Sequence, residues 1–262
     1  MSGNGALKFY DRRHRRLVFI RRRADERYWD EHWDERDARA ALDDRGQARF
    51  FVDLTRRHLP GGGRVLEGGC GLGEKLRALG RAGFHAHGVD TAAATLRRLR
   101  DLAPDLSLAQ CDVRGLCFVD GSFDGYWSIG VIEHFYDGFT PLAREMQRVV
   151  RPGGFLFLTF PAMTPLRRLK AALRMYPAWN DGAEAAHRER FYQFALAERE
   201  VVARLEADHG FQVVARGRRG GMRGLKEEAR FLHSLIKPVR RLLDPLIASL
   251  AGHSAVLVLR RV

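Results

Sequence analysis

The chain has 262 residues, 45% of them hydrophobic and 29% charged, with a formal net charge of +13. These proportions exclude a disordered or collagen-like chain and suit one domain with a sizeable core plus elaborations. The basic balance fits nucleic acid, an anionic membrane surface or an acidic substrate, and equally arginine used wherever a solvated polar residue is needed.

No repeat with a period of 20–50 residues is present, so a solenoid or propeller is not expected. No apolar run approaches the roughly 18–20 residues that span a bilayer. Residues 1–10 carry no apolar stretch ahead of the arginines that begin at Arg12, so no secretory signal is expected. Cys70, Cys111 and Cys117 match no zinc spacing and are too few for a disulfide framework. No metal is expected, and a reducing cytoplasm fits best.

In chain order, residues 1–24 crowd Arg12, Arg13, Arg15, Arg16, Arg21, Arg22 and Arg23 around the run Leu17-Val18-Phe19-Ile20 and read as a basic arm. In residues 25–36, Trp29 and Trp33 are four apart and share a face of any helix formed there. Residues 37–58 read as an amphipathic helix with Leu42, Phe50, Phe51 and Leu54 inward, stopped at Pro60-Gly61-Gly62-Gly63. The segment 1–58 is thus expected to be an arm and helical cap, and 59–262 the main domain.

Strands are expected at 64–67, 85–89, 107–110, 123–129 and 155–160, alternating with helices at 74–82, 92–102 and 140–150. That alternation implies βαβ units and a mostly parallel sheet. A further helix at 197–209 precedes strands at 211–216 and 255–259. Two basic segments interrupt this order, at about 162–195 and 217–253, each with apolar residues at helical spacing. They could lie on an anionic membrane surface, or form a cap or a dimer contact.

The segment Val65-Leu66-Glu67-Gly68-Gly69-Cys70-Gly71-Leu72-Gly73 joins a strand to a helix through a glycine-rich turn. Such a turn lets the backbone approach a ligand in front of a helix N-terminus. A dinucleotide loop places a third glycine where this chain has Glu74, whose charge would repel a pyrophosphate. The form found, an acid at the strand end followed by G-x-G-x-G, resembles the first motif of class I S-adenosylmethionine-dependent methyltransferases.

The resemblance continues in order through Gly88-Val89-Asp90, Cys111-Asp112-Val113, the stretch Ser122-Phe123-Asp124-Gly125 to Ser128-Ile129-Gly130-Val131-Ile132-Glu133-His134-Phe135, and Arg151-Pro152-Gly153-Gly154-Phe155. It covers residues 64–161 tightly and is closest to the branch that methylates small molecules, quinones and lipids. It implies a Rossmann-like α/β fold: a seven-stranded, mostly parallel sheet with an antiparallel last strand, helices on both faces, and a helical cap.

It also implies S-adenosyl-L-methionine as cofactor, held by Glu67, Gly69, Cys70, Gly71, Gly73, Asp90, Thr91, Cys111, Asp112, Val113, Ser128 and Gly130. Glu67 would lie near the methionine amino group, Asp90 at the ribose hydroxyls and Asp112 at the adenine. Glu67 could otherwise be a surface acid, Asp90 a helix cap and Asp112 a turn cap. Cys70 reads as a small packed residue rather than a nucleophile.

Glu133 and His134 follow the fourth strand at its carboxyl end, where open α/β sheets place ligands, and are the candidate catalytic residues. Tyr28, Trp29 and Trp33 could line a lid or pack the first helix on the sheet. His187, Arg190, Tyr192 and Phe194 could face the acceptor. The expected acceptor is a small molecule, sugar or lipid-linked intermediate methylated on O, N or C. Peripheral contact with the inner membrane face stays open. A nucleic-acid methyltransferase would account for the charge, but no Asn-Pro-Pro-Tyr-like signature follows the fourth strand and nucleic acid is not the expected partner. A non-catalytic partner protein that keeps the cofactor fold is the third reading.

Overall fold

In the computed structural model the described residues are 6–34, 36–43, 45–179, 188–236 and 240–262. The chain opens with strands β1 (Leu7–Asp11) and β2 (Arg16–Ile20), then helices α1 (Glu26–Asp34), α2 (Ala38–Asp43) and α3 (Arg45–His58). Next come β3 (Arg64–Gly68), α4 (Glu74–Arg81), β4 (His85–Asp90), α5 (Ala93–Leu102), β5 (Ser107–Gln110) and β6 (Phe123–Ile129). A 3-10 turn (Ile132–His134), α6 (Thr140–Val149) and β7 (Val150–Pro161) lead to α7 (Pro165–Ala172) and β8 (Phe191–Ala195). The chain closes with α8 (Glu198–His209), β9 (Phe211–Arg219), α9 (Gly221–Glu228), α10 (Arg230–Ile236), α11 (Arg240–Ala251) and β10 (Ser254–Arg261).

Seven strands form one sheet in the order β5-β4-β3-β6-β7-β10-β9, with β10 antiparallel to both neighbours and the β3, β4, β5, β6 and β7 pairings parallel. This is the fold expected from the motifs. Strand alternation sorts the core into two layers. Leu66, Tyr126, Leu156 and Leu257 face α6 and α8, against Leu142, Met146, Val201 and Leu205. Their neighbours Val65, Trp127, Phe157 and Val256 face α3 and α4, against Leu54 and Leu79. On that second face Trp127 stacks on Phe157 at 4.7 Å and its Nε1 donates to Thr55 Oγ1 at 2.9 Å, so the polar edge of a fully buried ring is satisfied.

Residues 7–20 are not an arm. They fold as a hairpin that pairs with β8 in a second, three-stranded antiparallel sheet, β1-β2-β8. The reason is the run 17–20, buried on both faces: Val18 and Ile20 join the main core while Leu17 and Phe19 pack on Met163 and Tyr176. Asp11 makes the turn possible among so many arginines. Its carboxylate accepts from His14 N, His14 Nδ1 and Arg16 Nε at 2.8–3.1 Å. The first insertion is likewise only partly helical, since it supplies β8. The segment read as one helix at 37–58 is two, α2 and α3.

The two insertions are tied together by a buried charge network. Arg167, 1% exposed, donates to Glu228 Oε1 and Glu227 Oε2, each at 3.1 Å, and to the Ala162 carbonyl at 2.8 Å. Lys8, Lys170 and Tyr176 converge on the same Glu228 carboxylate at 2.6–2.9 Å, and His253 meets Glu227 at 2.9 Å. Burial works against ionisation of both acids, but these partners outweigh it and hold each at about 2.

Removing one partner of a buried ion pair strands the other charge. Glu228→Ala is therefore expected to cost about 3–5 kcal/mol, read as a lower urea midpoint at pH 7. Because the folded-state values lie below those of the unfolded chain, the contribution is full above pH 4.5 and is lost as pH falls toward 2. The gap between native and variant midpoints should narrow at pH 3.

Candidate active site

The sheet has one switch point. The chain runs outward from β3 through β4 to β5, then returns to place β6 on the other side of β3. Carboxyl ends on either side of such a point diverge and leave a crevice. Here it is a cavity of about 580 Å³, walled by the ends of β3, β4 and β6, the residues after β5, helix α1, Arg188 and Phe191.

The glycine loop forms one wall. Gly69, Gly71 and Gly73 have φ of +75°, +49° and +68°, a region that side chains with a Cβ adopt at a cost. A Cβ on Gly71 would sit 2.7 Å from the Trp33 ring, so the absence of a side chain lets α1 close on the loop. Gly73 caps α4 in the left-handed conformation. Gly71 and Gly73 shape the loop rather than line the cavity, whereas Gly69 and Cys70 do line it. The Cys70 thiol is buried and raised well above its ordinary value by burial, in keeping with packing rather than nucleophilic chemistry.

Asp90, at the end of β4, accepts from Gly71 N through Oδ2 at 2.8 Å and from Ala92 N through Oδ1 at 3.0 Å. It therefore braces the two loops and lines the cavity at once, while the N-cap position of α5 is Ala92. Each oxygen has a second lone pair to offer. Burial raises its pKa in spite of the amides. Thr91, Cys111, Asp112, Val113 and Gly130 also line the cavity. Asp112 is held by the Arg114 guanidinium at 2.6–3.1 Å and by Arg114 N at 2.8 Å, so its carboxylate stays below the usual range.

Glu67 is 2% exposed and its Oε2 has no hydrogen-bond partner among the described residues. Burial pushes it up to about 8, with Lys75 opposing. Glu67 lines the cavity, and a buried carboxyl oxygen left unpaired beside it is a seat for a donor. Ser128 is fully buried with an equally unpaired Oγ and stands behind the wall. Seven Asp and Glu residues line the cavity against four Lys and Arg, in a chain whose net charge is +13. The site thus favours a cation where the surface favours anions, and Glu74 among those acids argues against a pyrophosphate.

His134 lines the cavity and Glu133 does not. Glu133 turns inward, 2% exposed, and burial pushes it up to about 8. The Nδ1 of His134 donates to the Tyr192 carbonyl at 2.7 Å, which fixes the proton there and leaves Nε2 as an acceptor in the neutral ring. Burial pushes the His134 pKa down to about 4. Edge-on contacts with Trp29 at 4.9 Å and Tyr192 at 5.2 Å hold the ring.

Helix α1 is locked over the crevice. Asp30 accepts from Thr95 N and Thr95 Oγ1 at 3.0 and 3.1 Å, capping α5 from outside because the methyl side chain of Ala92 has no acceptor to offer. Arg98 donates to the Trp33 carbonyl at 2.6 Å and to Asp34 at 2.9 Å. Trp29 and Trp33 line the cavity and Tyr28 is buried beneath them, so the helix both packs and covers.

Of the residues suggested for the acceptor side, Tyr192 supplies its carbonyl to His134, Phe194 is core beneath Arg16, and His187 lies outside the described residues. Tyr136, Arg188 and Phe191 line the cavity without having been anticipated. Only Tyr136, two residues past His134, had a neighbouring motif to reveal it.

Comparisons with known proteins agree with this geometry. Residues 66–158 match the family model described as a methyltransferase domain. The chain is 38% identical over 102 residues to a 2-methyl-6-phytyl-1,4-hydroquinone methyltransferase of Synechocystis, covering 37% of this chain and 32% of that protein. It is 37% identical over 138 residues to a malonyl-[acyl-carrier protein] O-methyltransferase of Halorhodospira halophila, covering 50% and 43%. The chain thus spans a third to a half of the length of these curated relatives. A Burkholderia thailandensis 1,6-didemethyltoxoflavin-N1-methyltransferase, solved with bound 1,6-didemethyltoxoflavin and S-adenosylhomocysteine, superposes with a TM-score of 0.55 at 17% identity over 98% of this chain and 99% of the other. Residues 66–158 thus form a methyltransferase domain, and the fold and motif order around it are those of the class I S-adenosylmethionine-dependent methyltransferases.

Proposed function

We propose that the chain transfers a methyl group from S-adenosylmethionine to a hydroxyl of a small-molecule or lipid-linked acceptor. The observation that carries this reading is His134: a neutral imidazole in the cavity wall at the end of β6, its Nδ1 proton fixed on the Tyr192 carbonyl and its Nε2 left as an acceptor.

The residues present fit the cofactor. The unpaired Glu67 oxygen suits the methionine ammonium, and the remaining lone pairs of Asp90 suit the ribose hydroxyls. The stretch Cys111, Asp112 and Val113 borders the adenine side, with Asp112 shared with Arg114, and the left-handed Gly69 lets backbone come close. When bound, the cofactor supplies an electrophilic methyl on a sulfonium. The protein's part is to hold the acceptor hydroxyl in line and to take its proton at His134 Nε2. Trp29, Phe135 and Phe191 exclude water from that end, and Arg188 with Tyr136 borders its mouth. Glu133, buried away from the cavity, supports the turn rather than the reaction.

The reading is tested first by calorimetric titration with S-adenosylmethionine, S-adenosylhomocysteine and NAD. Micromolar binding of the two adenosyl ligands and none of NAD is expected, with at least a roughly hundredfold loss in Asp90→Ala, which removes both ligand and loop contacts. Binding of NAD alone would overturn it. Glu67 is protonated at pH 7 and must ionise to meet an ammonium, so affinity for S-adenosylhomocysteine should rise from pH 6 to 8, by up to about tenfold per pH unit. Glu67→Gln should abolish that slope.

Once an acceptor is found by screening hydroquinones and other hydroxyl compounds, His134→Ala should lower kcat about 10²-fold or more while leaving cofactor affinity within about threefold. Because the His134 pKa is depressed to about 4, the ring stays neutral and native kcat should show no histidine titration between pH 5.5 and 7.5. Cofactor binding with no turnover on any acceptor would favour a partner protein instead.

A further inference from the structure

Seven of the eleven large apolar side chains exposed among the described residues fall in two short stretches of the insertions, 169–175 and 231–250. Leu169, Leu173 and Met175 are 57–63% exposed, Phe231 is 80% exposed, and Leu246 and Leu250 are 60% and 51% exposed. Isolated surface leucines need no account, but this concentration does.

The stretches are neighbours in space. Leu166 of α7 packs in one cluster with Leu225 of α9, Ile236 of α10, and Leu243, Ile247 and Ala251 of α11. Leu169 and Leu173, three and seven residues beyond Leu166, continue its stripe along α7 and its C-terminal end but stay 57% and 63% exposed, where the apolar stripe runs past the cluster. Leu246 and Leu250 are one helical turn apart and flank the inward Ile247. The platform is rigid beneath them. A Cβ on Gly224 would fall 1.7 Å from the Ala251 carbonyl, so α9 and α11 are in backbone contact, and the Arg167–Glu228 network pins α7 to α9 and reaches His253, just beyond α11.

Charge divides by face. The inward basic residues Arg167 and Lys170 are neutralised by Glu227 and Glu228. The outward Arg168 and Arg174 are exposed, with no ion-pair partner among the described residues, and residues 165–175 contain no acid. Apolar side chains rimmed by unpaired arginines complement an acyl layer beneath anionic headgroups. No helix of the described residues is long and apolar enough to cross a membrane, and α11 with 12 residues would reach only about 18 Å, so the surface suits lying in the interface. The location also matters. α7 leaves the end of β7 and α9 leaves the end of β9, the same carboxyl edge of the sheet at which the cavity opens.

We propose that the outward face of α7, α10 and α11 docks on an anionic lipid bilayer and brings the cavity to the membrane surface. This goes beyond the methyl-transfer reading and is tested without it. The full chain is sedimented with vesicles of phosphatidylglycerol and phosphatidylcholine, or of phosphatidylcholine alone, across a salt series. A triple variant, Leu169→Ser, Leu173→Ser and Leu250→Ser, keeps every charge, and so separates insertion from the adsorption that any strongly basic protein shows.

The native chain is expected to bind the anionic vesicles at least about tenfold more tightly than the neutral ones. The triple variant should bind them about tenfold or more weakly than native, with S-adenosylhomocysteine affinity unchanged. Equal binding of native and variant would overturn the proposal in favour of plain electrostatic adsorption. Absence of native binding would also overturn it. A native dimer in sedimentation velocity that the triple variant converts to monomer, without vesicle binding, would assign the face to a second copy of the chain instead.

Discussion

The Asp90 carboxylate bridges two backbone amides, Gly71 N in the glycine loop and Ala92 N ahead of α5, and the site depends on that bridge. It joins the first crossover of the sheet to the second at the point where strand order reverses. With both loops tied to one buried acid, the left-handed glycines stay in place, Trp33 can lie against Gly71, and α1 can reach α5 to cap it through Asp30. The same acid presents its remaining lone pairs to the cavity. Structural and cavity-facing positions coincide because a carboxylate has four acceptor positions and these two amides use one each.

A second constraint is the contrast between cavity and surface. The chain is strongly basic, yet its cavity is acid-rich, and its most buried acids there, Glu67 and Asp90, are raised by desolvation. Such groups are primed to gain from a cationic ligand, since ionisation that burial opposes becomes favourable once a positive partner arrives. His134 shows the converse. Desolvation keeps it neutral, and the Tyr192 carbonyl, delivered by a strand from an insertion, decides which nitrogen carries the proton.

The central sheet was legible because its code is local. Each β–loop–α junction carries its own glycines, acids and alternation, so the ends of β3, β4 and β6 could be placed from short stretches such as 65–73 and 88–90. The hairpin of residues 7–20 was not legible as a strand pair. Its apolar run is four residues long, its arginines suggest a solvated tail, and its partner β8 lies some 170 residues away within an insertion. Glu133 and His134 are adjacent in sequence and looked alike, yet the 3-10 turn sends one into the core and the other into the cavity.

By itself the sequence determined the class of sheet, the position of the crevice and three of the acids that border it, Glu67, Asp90 and Asp112, because all of these follow from residue types at fixed spacing along single βα units. Tertiary structure alone decided what covers the crevice and what tunes it. The lid on Gly71, the tautomer of His134, the Arg167–Glu228 network and the apolar face of α7 and α11 each join segments distant in the chain. Their physical content is burial and proximity, which no local pattern of residues encodes.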